Sequence, residues 1–253
     1  MEIRALSRVV QILASVSARP TGITLSEIVT DVRLSKATTY RFVRALVAVD
    51  FLRLEPDTGG YHIGPALLRF GRLAGHHEGL RLLARPFLDA LRASTTETVS
   101  LVVPAGTERL TIDVVLSDHE LRAAPEVGSL KPIYAGAAGK ALLAGYPDDE
   151  LDSLLGRVAL KAVAPGTITS RSALERDLAR IRERGYATSV DETVFGQAAS
   201  AAPVFRDDGK VVASITVSGP RVRLPRTKLQ KHGELVAAAA AKLSRKLGAR
   251  RKA

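Results

Sequence analysis

The chain has 253 residues, 37 Lys and Arg against 26 Asp and Glu, and neither cysteine nor tryptophan. That length buries one or two cores without covalent staples, and the lack of cysteine excludes disulfides, thiolate nucleophiles and cysteine metal sites, as expected of a protein kept in a reducing cytoplasm. The longest unbroken apolar run, Leu235–Ala241, falls far short of the roughly 20 residues that span a bilayer, and the N-terminus has no signal-peptide core, so neither a span nor a leader is expected.

A net charge of +11 invites a polyanionic partner, but its distribution qualifies the reading. Residues 1–78 carry ten cations against seven anions, residues 79–220 sixteen against eighteen, and residues 221–253 eleven against one. Bulk charge therefore does not locate a nucleic-acid site. The basic tail, 249–253, reads as a solvated end.

Leu6, Val9, Val10, Leu13 and Val16 form an apolar stripe for a first helix, which Pro20 and Gly22 end. Thr24-Leu25-Ser26-Glu27 is a capping box opening a second helix, with Ile28, Val29 and Val32 on its buried side. A short turn at Arg33 and Leu34 then delivers Ser35, an N-cap, to a third helix running to Val49. Its two faces differ in chemistry. Thr39, Phe42, Val43 and Leu46 recur at core spacing, whereas Ala37, Tyr40, Arg41 and Arg44 lie opposite. Lys36 in the first turn is unfavourable against the helix dipole unless an anion sits close by, which suits a helix docked on phosphate. Phe51–Glu55, the loop Pro56–Gly60 and Tyr61–Ile63 follow as a hairpin, making the unit a winged helix-turn-helix over 1–64. The expected contacts to double-stranded DNA are Ser35, Lys36, Ala37, Thr38, Tyr40, Arg41 and Arg44, with Arg53 from the wing.

Pro65 starts a linker helix over 65–79, weakened by Gly71, Gly75 and Gly79. His76-His77-Glu78 is a poor metal site, because adjacent helical residues point in different directions. From residue 80 to 248, helices alternate with strands: a helix to Ser94, strands at Thr98–Val103 and Arg109–Leu116, helices at Gly139–Ala144, Asp148–Leu155 and Ser172–Arg184. Strands near Tyr186–Val190, Ser200–Phe205 and Val211–Ser218 precede a closing helix, Leu229–Leu247. Ser172-Ala173-Leu174-Glu175 reads as a second capping box and Gly185 as a helix stop. The pattern predicts an α+β domain with helices packed on a sheet.

These residues resemble the IclR-type transcriptional regulators over almost the whole chain. The distinctive matches are Val127–Ala144 (VGSLKPIYAGAAGKALLA), Ile168-Thr169 through Gly185-Tyr186-Ala187, Asp191–Gly196 (DETVFG) leading to Ala201–Val204, and Ile215–Pro220 (ITVSGP). The resemblance implies a GAF-like α/β effector-binding domain, a dimer swapped through the N-terminal helices, and often a dimer of dimers. It places a small acid or aromatic metabolite over the loop entering the helix at Gly139, here Ala137, Ala138 and Gly139. Backbone amides at a helix N-terminus are a natural seat for a carboxylate. Ala199 stands at a pocket position that is Cys in many members of that family, and Ser189 at one that is acidic in some. Thr216 and Ser218 from neighbouring strands add neutral hydrogen bonds, or simply form the polar face of a strand. Arg33 and Asp50 stand where the family often has Gly.

Enzymatic chemistry finds little support. AGAAGKA is not a phosphate-binding loop, since position 134 is Tyr and Lys140 is followed by Ala141. No GxSxG elbow occurs, and the adjacent pairs Asp148-Asp149 and Asp191-Glu192 read as solvated caps or turn anchors. No catalytic residue, metal or cofactor is implied. The expectation is a cytoplasmic, sequence-specific DNA-binding regulator, acting by repression under control of an organic acid or aromatic effector. The alternative is a small-molecule sensor or enzyme whose winged helix serves assembly only.

Overall fold

The structure, a computed structural model, describes residues 4–67, 70 and 77–249. The chain divides into two compact units between His76 and His77. In the first, helices α1 (Arg4–Ser17), α2 (Leu25–Val32) and α3 (Lys36–Ala48) precede a two-stranded wing, β1 (Leu52–Leu54) and β2 (Tyr61–Ile63). The Thr24 hydroxyl accepts from the Glu27 amide at 3.4 Å and the Glu27 carboxylate accepts from the Thr24 amide at 2.8 Å, so the capping box forms as its sequence requires. Arg33 closes α2 with a left-handed φ of 53° and Asp50 turns the chain out of α3 with φ 57°, two bends usually left to glycine. An antiparallel bridge from Ile23 to Tyr61 ties the segment before α2 to the wing.

Ile12, Val16, Ile23, Ile28, Val43, Leu46, Leu52 and Tyr61 form the core of this unit. Each such side chain contributes roughly 1.5–3 kcal/mol relative to an exposed position. The stripe expected on α1 is rotated. Ile12, Ser15 and Val16 are buried, Val9 and Leu13 are half-buried, and Leu6 and Val10 stand 61% and 64% exposed. At 100° per residue Val10 points away from Ile12. Ser15 is drawn inward because its hydroxyl donates to the Asp31 carboxylate at 2.6 Å. Pro65, Ala66 and Leu67 are helical, whereas most of the expected linker helix lies outside the described residues, as does the basic tail from Arg250 onward.

The second unit opens with α4 (Glu78–Thr95), which begins two residues before its expected start at Leu80. Strands β3 (Thr98–Ala105), β4 (Glu108–Val115) and β5 (Leu130–Pro132) lead to α5 (Gly136–Ala144), α6 (Asp148–Leu155) and α7 (Arg171–Arg184). Strands β6 (Ala187–Val190), β7 (Gln197–Phe205) and β8 (Val211–Pro220) and the helix α8 (Arg226–Lys246) complete it. The six strands form one antiparallel sheet in the order β5-β4-β3-β8-β7-β6. Ser172–Glu175 is not a capping box. The N-cap of α7 is Ser170, without a side-chain cap bond, and Glu175 accepts from Arg171 at 2.8 Å, an (i, i+4) ion pair that holds the carboxylate away from the backbone.

Alternation assigns the two faces of the sheet different work. Val99, Leu101, Ala202, Val204, Ala213, Ile215 and Val217 pack with Leu88 and Leu91 of α4 and Val236 and Leu243 of α8. The other face carries Ser100, Val102, Ala199, Ala201, Ser214, Thr216 and Ser218 and receives α5. There the Ser214 hydroxyl donates to the Ala138 carbonyl at 3.1 Å. A register shift in the β3–β4 pairing changes this alternation on β4. Leu101 lies opposite Asp113, yet Val102 lies opposite Thr111, leaving Ile112 as the extra residue. Ile112 and Leu110 therefore pack with the α4–α8 core, while Arg109 and Thr111 turn to the α5 side.

Candidate functional site

Two surfaces carry the predicted site residues, one in each unit. On α3, Thr39, Val43 and Leu46 are buried, while Lys36, Ala37, Tyr40, Arg41 and Arg44 are exposed on the opposite side. Ser35 caps the helix by accepting from the Thr38 amide at 3.3 Å and donates its hydroxyl proton to the Thr38 hydroxyl at 2.8 Å. Both side chains are thus committed to the helix start. The Arg44 guanidinium lies 5.9 Å from the Tyr40 ring centroid, a cation–π contact that limits its rotamers. Lys36, Arg41 and Arg44 form no ion pair among the described residues. Arg53 on the wing is exposed beside Glu55 at 3.5 Å, close enough for its charge to be partly screened.

In the second unit, Ala137, Ala138, Ser189, Ala199, Thr216 and Ser218 all line one cavity of about 50 Å³ between the sheet and the start of α5. Register explains the meeting: Ala199 lies opposite both Ser189 and Ser218, and Thr216 lies opposite both Ser100 and Ala201. Gly139 is not among the lining residues. A Cβ there would stand 1.9 Å from the Ile133 carbonyl oxygen, so this glycine lets α5 pack against the preceding turn. The helix also begins at Gly136, one turn earlier than expected, with a φ of 79°.

The N-terminus of α5 is already partly occupied. Glu192 accepts from the Gly136 amide at 3.0 Å and from the Lys140 ammonium at 2.6 Å. Lys140, 2% exposed, also donates to Asp177 at 2.8 Å and to the Thr188 carbonyl at 2.9 Å. Glu192 is 6% exposed and not a solvated cap; burial raises its pKa while Lys140 opposes the rise. Asp191 does anchor a turn, but from a buried position, accepting from the Gly196 amide at 2.6 Å and from Arg221. Asp148 and Asp149 sit in the first turn of α6 as expected. On the far side of Lys140 and Glu192, an open cleft of about 430 Å³ runs between α7 and the edge strand β6, past Arg176, Arg180 and Ser189.

Sequence reasoning missed Arg109. It lines the cavity, is 8% exposed, and its Nε has no hydrogen-bond partner. Burial pushes the guanidinium down to about 10, against the pull of Glu192. Lys131, half-buried nearby, is lowered by desolvation and then by the charge of Arg109. Lys140 did offer a signal, since a lysine inside AGAAGKALLA needs a buried counter-charge. No group of residues suited to hold a metal ion occurs among the described residues.

A winged helix-turn-helix followed by an α/β domain with a polar internal cavity is the layout of a DNA-binding regulator with a small-molecule receiver. Residues 5–56 match the model of the IclR helix-turn-helix domain, and residues 73–245 match that of the bacterial transcriptional regulator IclR C-terminal domain. The chain is 32% identical over 245 residues to the HTH-type transcriptional repressor AllR of Escherichia coli K12, covering 97% of this chain and 90% of that one. Among solved structures it is similar to the IclR protein of Thermotoga maritima, with a TM-score of 0.78, 29% identity and coverage of 98% and 100% of the two chains. It is also similar to an IclR homologue of Microbacterium hydrocarbonoxydans complexed with 4-hydroxybenzoate, with a TM-score of 0.79, 25% identity and coverage of 96% and 98%. The chain belongs to the IclR family: it is a ligand-controlled, DNA-binding transcriptional regulator and not an enzyme. The alternative of a winged helix used only for assembly is set aside on that ground.

Proposed function

We propose that α3 reads the major groove of an operator through Lys36, Tyr40, Arg41 and Arg44, with Arg53 on an adjacent phosphate, and that occupancy of the cavity beside α5 controls this reading. The observation that carries the first part is the exposed, unpaired basic face of a capped helix whose other face is core. Arg41 or Arg44 placed bidentate on guanine is worth roughly 1–3 kcal/mol of discrimination, whereas the cation of Lys36 suits phosphate. The exposed apolar Leu6 and Val10 of α1 support association of two reader units through this helix, giving a homodimer or a dimer of dimers on paired half-sites.

Repression is the sign that AllR's name supports, and an intracellular site of action follows from an operator as partner. No helix among the described residues is long and apolar enough to cross a membrane. The 4-hydroxybenzoate complex supports an acidic effector. A cavity of about 50 Å³ favours a smaller organic acid over an aromatic one, since each water-sized group needs roughly 10–15 Å³.

Fluorescence anisotropy with DNA from the chain's own upstream region tests the reading. Arg41→Ala and Arg44→Ala should each weaken specific binding about 5–100-fold and leave the oligomeric state unchanged. Ala138→Trp overfills the cavity, at a cost of about 1–3 kcal/mol to the second unit, and should abolish the effector response while operator binding is retained. Full operator affinity in Arg41→Ala/Arg44→Ala protein would remove α3 as the reader.

A further inference from the structure

We propose that Arg109 is the anion anchor of the effector cavity and that it selects ligands carrying a single negative charge. The inference rests on the reading of this cavity as the effector seat. Arg109 reaches the cavity only because the β3–β4 register shift turns it to the α5 side. Its Nη2 lies 3.5 Å from where a Cβ on Gly136 would stand, and its Cδ lies 3.2 Å from the same construction on Gly139. The guanidinium is therefore packed against the first turn of α5. It is nine-tenths buried, its Nε is unpartnered, and it makes no hydrogen bond or ion pair among the described residues. An arginine fork buried in this state is matched by a planar oxyanion that accepts two parallel hydrogen bonds.

Charge counting sets the valence of that anion. The charged residues that line the cavity are Arg109, Lys131 and Glu192, two cations against one carboxylate, while Lys140, in the neighbouring cleft, pairs with Asp177 as well as with Glu192. Glu192 cannot serve Arg109 fully, because its oxygens are engaged by Lys140 and by the Gly136 amide. One positive charge is left over. A monoanion neutralises it, a neutral ligand leaves it stranded, and a dianion puts a surplus negative charge beside Glu192. The amide of Gly136 is already spent on Glu192, so the side chain of Arg109 supplies the principal contact and the α5 amides at Ala137 and Ala138 assist.

The test is calorimetric unfolding of the full-length protein with acetate or lactate, with the neutral isosteres acetamide or lactamide, and with the dianion malonate, all at equal ionic strength against sodium chloride. Wild type, Arg109→Met, Arg109→Lys and Ala138→Trp are compared. The monoanions should raise the transition of the second unit in wild type and at least tenfold less effectively in Arg109→Met, with Arg109→Lys between them; the amides and malonate should not raise it. Without ligand at low ionic strength, Arg109→Met should melt no lower than wild type, since it removes an unpaired buried charge. Equal stabilisation of wild type and Arg109→Met by the acids, with Ala138→Trp unresponsive, overturns the anchor and leaves the cavity reading intact. Amides as effective as acids, or malonate more effective, overturns the charge selection. A response that survives in Ala138→Trp, or no response of wild type to any compound, overturns both. An Arg109→Met protein that melts below Arg109→Lys and wild type without ligand assigns Arg109 to structure and also overturns the proposal.

Discussion

Replacing Lys140 by Met keeps the length of a side chain that is 2% exposed and removes its charge. Three bonds are lost, to Glu192 at 2.6 Å, Asp177 at 2.8 Å and the Thr188 carbonyl at 2.9 Å. Breaking a buried pair by deleting one partner costs about 3–5 kcal/mol. Asp177 retains some solvent and Glu192 retains the Gly136 amide, which places the loss near the lower limit, about 3 kcal/mol. For a unit of this size each kcal/mol lowers the melting temperature by about 2–4 °C, so the second unit should melt roughly 6–12 °C lower. Lys140→Met/Glu192→Gln should recover about half of this, because Gln still accepts from Gly136 and the one carboxylate left without its ammonium is Asp177, which keeps some solvent. Burial already raises the pKa of Glu192, and loss of Lys140 raises it further. The folded single variant then holds a proton that the unfolded chain releases, so its deficit grows as pH rises through the carboxylate range and shrinks on acidification. Differential scanning calorimetry of the full-length protein reads the transition directly. A drop below about 2 °C for Lys140→Met, or a double variant whose loss equals the sum of the two single losses, would refute the coupling.

Gly139→Ala drives a Cβ to 1.9 Å from the Ile133 carbonyl oxygen, a backbone atom that yields only if α5 moves. It should cost about 1–3 kcal/mol in urea unfolding and blunt the effector response, and an unchanged midpoint would show that α5 shifts freely. Ser35→Ala removes the cap of α3 and should cost the first unit about 1 kcal/mol, measured by thermal melting, with weaker operator binding alongside. His232 has its pKa lowered by burial, with Lys228 and Lys231 acting in the same sense and Glu97 against it. The unfolded chain takes up the proton first, so stability of the second unit should fall as pH drops below about 6.5, and His232→Gln should flatten that slope in melts between about pH 5 and 7.

Much of the reader unit was legible from local chemistry. The capping box at Thr24–Glu27, the cap at Ser35, the two-faced spacing of α3 and the wing hairpin are all interactions within a few residues of chain, where side-chain type and period dictate geometry. The six pocket residues that meet at the cavity were legible through resemblance, since Ala137, Ser189 and Thr216 lie on separate elements and no local rule brings them together.

Most of what remained hidden depends on partners distant in sequence; the exception is a competing side chain one turn away. The Ser172–Glu175 pattern is a cap in isolation, but Arg171 claims the carboxylate first. The stripe on α1 reads as core until Ile12 and Val16 are seen to face inward, leaving Leu6 and Val10 outside. Asp191-Glu192 reads as solvated because adjacent acids usually are, whereas Lys140 from α5 and the Gly136 amide draw Glu192 inside. Arg109 is the clearest case. Strict alternation along β4 places it with Leu110's opposite neighbours only if the position of the extra residue is known, and that position is set by pairing with β3. Caps and periodicity thus specified most of the elements, because those are short-range properties of the chain, and the resemblance of its spaced motifs supplied the class of protein. The charge of the cavity was decided by strand register and by ion pairs closing loops of tens of residues, which exist only once the sheet has formed.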